Sequence, residues 1–499
     1  MVHLATGWRY GFDRDELMAL DDARHLAWGY VQYPPMTAFL GRVALALFGT
    51  SLVGFRFFAA LAQAIALVLT GLMAKELGGG KWAQVVATLA GVPFCLGAGA
   101  LMQYISFDYV CWAWVAYCVL RVVTDENPRW WLGAGAGAGL GMQAKYTMGF
   151  LVVGILVGLL VTESRKYFRS MWLWLGVLLS CMIFLPNFVW EWKRNFVSVE
   201  FLRFLHARDV GLGLTDWFLL GQVELTLLAF PLAVAGLWFY FLTLEGKRYR
   251  ILGWMYVVPL VLFLVLRGRD YYLAPAYPML YTAGAVWMER KWLLAASRDE
   301  TSNAETQRAQ SIAAEALFNR RTKIVRRVVW TCLILDIVIA GAVALPIAPV
   351  GSRWWDFASQ VDTVFPEEIG WPEFVQAVAQ VRNQLPPKDR ASVGILAGNY
   401  GEVGALNLYG QRFGLPNAMS GVNSSWERGY QMPPPDVVII VGYSREFLEQ
   451  EFGSCVVAGH VWNRFRVANE ESVEDPEIFV CRELKEPWPE FWRKAKRFA

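Results

Sequence analysis

The sequence predicts a polytopic α-helical membrane protein that carries a small α/β domain at its C-terminal end. Of 499 residues, 56% are hydrophobic, 24 are Trp and 31 are Phe, and the mean hydropathy is positive. That is far greasier than an ordinary soluble chain. The apolar runs then cease near Pro349, where the composition becomes that of a soluble domain. A third observation concerns chemistry: the stretch FDRDE at 12–16 sets the adjacent carboxylates Asp15 and Glu16 just ahead of the apolar part. Ionised groups are costly beside a bilayer, so acids kept there point to a functional site.

Taken in order, residues 1–51 read as an outer acidic loop with interfacial helices. The segment 36–48 is apolar but interrupted by Arg42 and too short to span, which suits a helix lying in the interface. Residues 1–10 contain no apolar core followed by a cleavage site, so insertion is expected to rely on the later helices. Apolar runs follow at 52–74, 83–102, 107–120, 130–143, 147–162, 171–189, 217–243, 251–266, 273–288 and 328–349, giving ten expected spans. The third to fifth are short for a bilayer core of roughly 20 helical residues. Within the fourth, GAGAGAGLG at 133–141 reads as a small-residue face for close helix contact, because no GK[ST] follows to make it a phosphate loop.

Orientation follows from Lys and Arg in the connections. With both chain ends outside, the inner connections hold 19 of these residues and the outer ones 11. Much of the bias lies in 289–327, read as a polar cytoplasmic linker or surface helix. The membrane domain is therefore set at 52–350, and 351–499 becomes an extracytoplasmic α/β domain. In that tail, 371–385 has helical spacing, 391–400 and 436–443 read as buried strands, and a helix-like segment follows each strand. GNYGEVGAL forms a strand-to-helix turn but lacks GxGxxG.

Composition also excludes some functions. A net charge of +3 favours neither nucleic acid nor a polyacidic partner. The seven Cys form no CxxC pair and no zinc spacing, so cysteine carries no chemistry here; no metal-ligand set and no cofactor are named from the sequence, and a metal requirement stays open. Only Cys455 and Cys481 are placed to meet in a disulfide.

Seven motifs occur in order: FDRDELMALDDARHLAWGYVQYPPM, LGGGKWAQ, SFDYVCWAW, GMQAKYT, LPNFVW, EFLRFLHARD and RDYYLAPAYP. Together, over about 10–290, they resemble bacterial membrane glycosyltransferases of the dolichyl-phosphate-mannose protein mannosyltransferase superfamily. They are similar to its family 39 members and to the lipid A aminoarabinose transferases, all of the GT-C type. One departure is that such enzymes usually carry a membrane helix before the acidic loop, whereas eleven residues precede Phe12 here.

The resemblance implies an inverting transfer of a sugar from a polyprenyl phosphate to an acceptor hydroxyl, at the outer face of a bacterial inner membrane. The partners it implies are membrane lipids and the lipid-phosphate sugar. Protein, lipid A, glycan and other lipids stay open as acceptors. It makes Asp15 the general base, with Glu16 beside it and Asp108 accessory; a solvated acidic loop and a plain helix-terminal carboxylate are the respective alternatives. Lys145 and Arg269, with Tyr271 and Tyr272, would hold the departing phosphate, where relatives usually have Lys in place of Arg269. Arg203, His206 and Arg208 read equally as phosphate contacts or as snorkelling side chains, and Trp190 and Trp192 suit an interfacial belt. A transporter or lipid-binding scaffold that kept the fold without catalysis is the rival reading.

Overall fold

The computed structural model describes residues 1–298 and 305–499, with side chains left out over 292–322. Every expected span falls on a helix. Six helices among the described residues are long and apolar enough to cross a bilayer: Leu52–Glu76, Tyr104–Thr124, Met171–Lys193, Phe218–Leu242, Glu245–Val265 and Lys323–Ala344. A seventh candidate, Met148–Val161, bends by 104° into Glu163–Arg169. The expected spans over 83–102, 130–143 and 273–288 are helical as Lys81–Ala98, Trp130–Ala144 and Tyr277–Arg298, but do not meet that test alone. One face of each joins the apolar core of the bundle, through Val86 and Ala90, Ala134 and Ala138, and Leu280 and Ala283. The linker expected over 289–327 falls partly outside the described residues.

Glycines in the Trp130–Ala144 helix do what their spacing suggests. A Cβ on Gly139 would come within 2.9 Å of the Ser180 carbonyl oxygen, so this helix and Met171–Lys193 meet at backbone distance. The segment Met36–Phe48 is a helix of 13 residues.

Beyond Pro349 the chain forms a four-stranded sheet of order β1-β2-β4-β3. Strands β1 (Gly394–Ala397) and β2 (Val437–Val441) are parallel and wholly buried, as their unbroken apolar runs require. Strands β3 (Phe452–His460) and β4 (Glu477–Leu484) pair antiparallel and bring Cys455 opposite Cys481, where a disulfide joins them. Neither strand is among those expected from the sequence: β3 is half-exposed, and the apolar run of β4 is only four residues, 478–481, between charged ones.

The acidic loop is bound into both halves of the molecule. One apolar cluster unites Phe12, Leu17 and Leu20 with Phe55 and Ala59 of the first long helix and with Phe374, Ile395 and Val403 of the tail. The approach is tight: a Cβ on Gly404 would lie 2.5 Å from the Leu17 backbone. Glycine there lets helix Tyr400–Tyr409 lie directly on helix Arg14–Arg24.

Candidate active site

FDRDE folds as a helix start. The Asp13 side chain accepts from the Asp15 amide at 2.8 Å, and Glu16 accepts from the Asp13 amide at 3.1 Å. This reciprocal capping box terminates the loop and aims the two acids in different directions. Glu16 is fully buried and takes three contacts from Arg56, at 2.6, 2.9 and 3.1 Å, and one from the Met102 amide at 2.8 Å. Its lone pairs are committed, so Glu16 does not share the position of Asp15; it anchors the turn. The D-x-x-E spacing carried that signal, and an Arg in the apolar run VGFRFF carried its partner.

Asp15 instead lines a cavity of about 510 Å³. Its Oδ2 accepts from Gln103 Nε2 at 3.3 Å. Burial pushes its carboxyl above the usual range, while Arg14 and the Tyr400 hydroxyl favour the ionised form.

The same cavity is lined by Lys145, Arg208, Arg269, Tyr271 and Tyr272. Lys145 sits where the Trp130–Ala144 helix ends in extended backbone. Its ammonium lies over three rings, 4.3 Å from the Tyr272 centroid, 4.8 Å from Tyr271 and 5.2 Å from Tyr104. Ring faces hold a cation without neutralising it. Arg269 is bound at two points by Asp209, a residue the sequence reading missed inside HARD.

Asp108 lies outside the cavity wall, 2% exposed, with Oδ2 accepting from Thr147 Oγ1 at 2.9 Å. It pins the turn that presents Lys145. Arg203 is exposed and absent from the cavity wall, whereas His206 and Arg208 of the same helix line it. The basic cluster therefore splits by helix face. Trp190 is buried under the Arg194 guanidinium and only Trp192 is exposed, so one of the two fits an interfacial belt. An apolar flank of Phe150, Phe201, Leu202, Leu205, Phe263 and Leu266 completes the cavity.

Residues 32–190 match the family model described as dolichyl-phosphate-mannose-protein mannosyltransferase. The structure superposes on ArnT from Cupriavidus metallidurans bound to undecaprenyl phosphate, with a TM-score of 0.60 and 15% identity over 96% of each chain. The apo state of the same protein gives 0.59 and 16%, over 96% of this chain and 95% of that one. This is a GT-C fold. No curated protein matches the chain. Within the GT-C fold the family match takes in Gln103, Asp108 and Lys145 but neither Asp15 nor Arg269. Those two rest on the geometry described above.

Proposed function

We propose that the chain is a membrane glycosyltransferase, moving a hexosyl or pentosyl group from a polyprenyl phosphate to an acceptor hydroxyl at the outer face of a bacterial inner membrane. The observation that carries this is one cavity lined by Asp15, by the cations Lys145, Arg208 and Arg269, and by an apolar flank. The flank suits the first isoprene units, and the cations suit the phosphate. That the structurally similar ArnT is described with undecaprenyl phosphate bound supports the donor class.

In this mechanism Asp15 takes the proton from the acceptor hydroxyl as its oxygen attacks the anomeric carbon. The bond from that carbon to the phosphate oxygen breaks on the opposite face, so configuration inverts. Phosphate leaves as an anion and needs no proton, but its growing charge needs preorganised cations. Lys145 and Arg269 supply these, and Tyr271 and Tyr272 hold Lys145 in place. Glu16 and Asp108 act at one remove, fixing the acidic turn and the Lys145 turn. Arg203 is left for lipid headgroups.

The outward orientation is supported by the Lys/Arg bias of the connections and by the Cys455–Cys481 disulfide, a bond that persists in oxidising compartments. In phospholipid nanodiscs, the purified protein is given radiolabelled polyprenyl-phosphate sugars and cell-envelope lipids and glycans from a deletion strain. Label is expected in an acceptor, with release of polyprenyl phosphate. Donor binding without transfer across the panel would favour the scaffold reading.

A further inference from the structure

The tail contributes to the cavity in a way that its distance in sequence conceals. Tyr400, the first residue of helix Tyr400–Tyr409, lines the same cavity as Asp15 although 385 positions separate them. The two side chains are near neighbours on that wall, since the start of the Tyr400 helix rests against the turn that carries Asp15. The ring is fixed from behind by the Arg14 guanidinium, 4.9 Å from its centroid. Arg14 is itself held from the tail, with Nη2 donating to Glu470 Oε1 at 2.9 Å and Nη1 paired to Oε2.

Backbone packing makes this placement rigid. Asn399 caps the helix by accepting from the Glu402 amide at 2.9 Å, and the Glu402 carboxylate accepts in return from Asn399 at 3.1 Å. A Cβ on Gly401 would lie 2.9 Å from Arg14 Cβ, so the helix start rests against the acidic turn. Two residues of one loop, Arg14 and Asp15, are thus gripped by three of the tail, Tyr400, Glu402 through its cap, and Glu470.

We propose that Tyr400 is a positioning residue for the transfer reaction, donating its hydroxyl hydrogen to Asp15, so that the C-terminal domain completes the catalytic centre. The proposal rests on the reading of Asp15 as base. A hydroxyl donating to a carboxylate favours its ionised form and fixes which oxygen lone pair faces the acceptor. Gln103 holds the carboxylate from the membrane side at Oδ2. Tyr400 holds it from the tail, and the base is oriented between the two.

The test is Tyr400→Phe, which keeps the ring, its Arg14 stacking and the helix start while removing one hydroxyl. Single-turnover release of polyprenyl phosphate from a labelled donor is followed across pH in nanodiscs, with the cell-envelope extract as acceptor. The rate at the plateau is expected to fall roughly tenfold, the worth of a hydrogen bond to a charged group. Its acid limb is expected to move to higher pH, because the ionised base has lost a donor. Undecaprenyl phosphate affinity and the thermal transition should match the wild type. A wild-type rate and pH profile in Tyr400→Phe would overturn the proposal, as would a lower rate with an unmoved acid limb. Asp15→Asn run in parallel separates the two readings: if it alone retains turnover, the base lies elsewhere; if it is inactive while Tyr400→Phe is normal, only Tyr400 is removed.

Discussion

Arg269 meets Asp209 in a two-point pair, Nε to Oδ2 at 2.6 Å and Nη2 to Oδ1 at 2.7 Å, at the wall of the cavity that also holds Asp15. The guanidinium is planar and forked, so this geometry belongs to Arg and a Lys cannot reproduce it. Asp209 fixes where the charge stands. Lys145 is located by ring faces with the Asp108 carboxylate near it, whereas Arg269 is held by a two-point carboxylate fork.

Both cations are expected to act more on rate than on binding. Lys145→Ala and Arg269→Ala should each lower single-turnover transfer about 100-fold, as loss of one preorganised donor does, with smaller losses in donor affinity. Arg269→Lys should fall between Arg269→Ala and wild type, since charge survives and the fork does not. Equal losses in rate and affinity would make the pair a simple binding site. These are read from single-turnover traces alongside donor titrations.

Glu16 and Arg56 are expected to govern stability. Arg56→Met leaves the buried Glu16 without its partner, which costs about 3–5 kcal/mol when a buried pair is broken on one side. A lower thermal midpoint in nanodiscs would report it. Glu16→Gln should also lower that midpoint while the folded fraction still turns over. Loss of turnover in a fully folded Glu16→Gln would return Glu16 to the chemistry.

Stability should decline as pH rises from about 5 to about 8. Burial pushes the Glu368 carboxyl up to about 8, against the pull of Arg56, and pushes Glu402 and Glu471 up to about 7. A carboxyl raised in the fold favours folding while protonated, and that contribution is lost as pH climbs through the folded value. Glu402→Gln should flatten part of this slope. A midpoint that rises over the same interval would contradict the assignment.

Topology has its own test. A reporter active only in the cytoplasm, fused after Ala499, should be silent, and Cys455 and Cys481 should resist thiol labelling until reduced. Strong cytoplasmic signal would place the cavity on the wrong side for the proposed donor.

Much of this was legible in the chain because apolar runs and local motifs are local signals. The helices and the two buried strands announce themselves within a few residues, and the motifs behind the family resemblance contain Asp15, Lys145 and Arg269, which line one cavity. Partners set by long-range packing do not announce themselves. Asp209 reaches Arg269 across 60 positions, Arg56 reaches Glu368 across 312, and Tyr400 comes to Asp15 only after the tail folds back. Glu16 parts from Asp15 for a different reason: consecutive residues of a helix point about 100° apart, which sends the two adjacent acids to different surroundings.

The central claim is that Asp15 is the base, and Asp15→Asn tests it most directly. The amide keeps the size and can still accept from Gln103 but cannot take a proton. Single-turnover transfer should fall about 100-fold to 10,000-fold while undecaprenyl phosphate affinity stays near wild type. The wild-type acid limb should lie above the usual carboxylate range, since burial raises the Asp15 carboxyl. Near-wild-type turnover by Asp15→Asn would contradict the account.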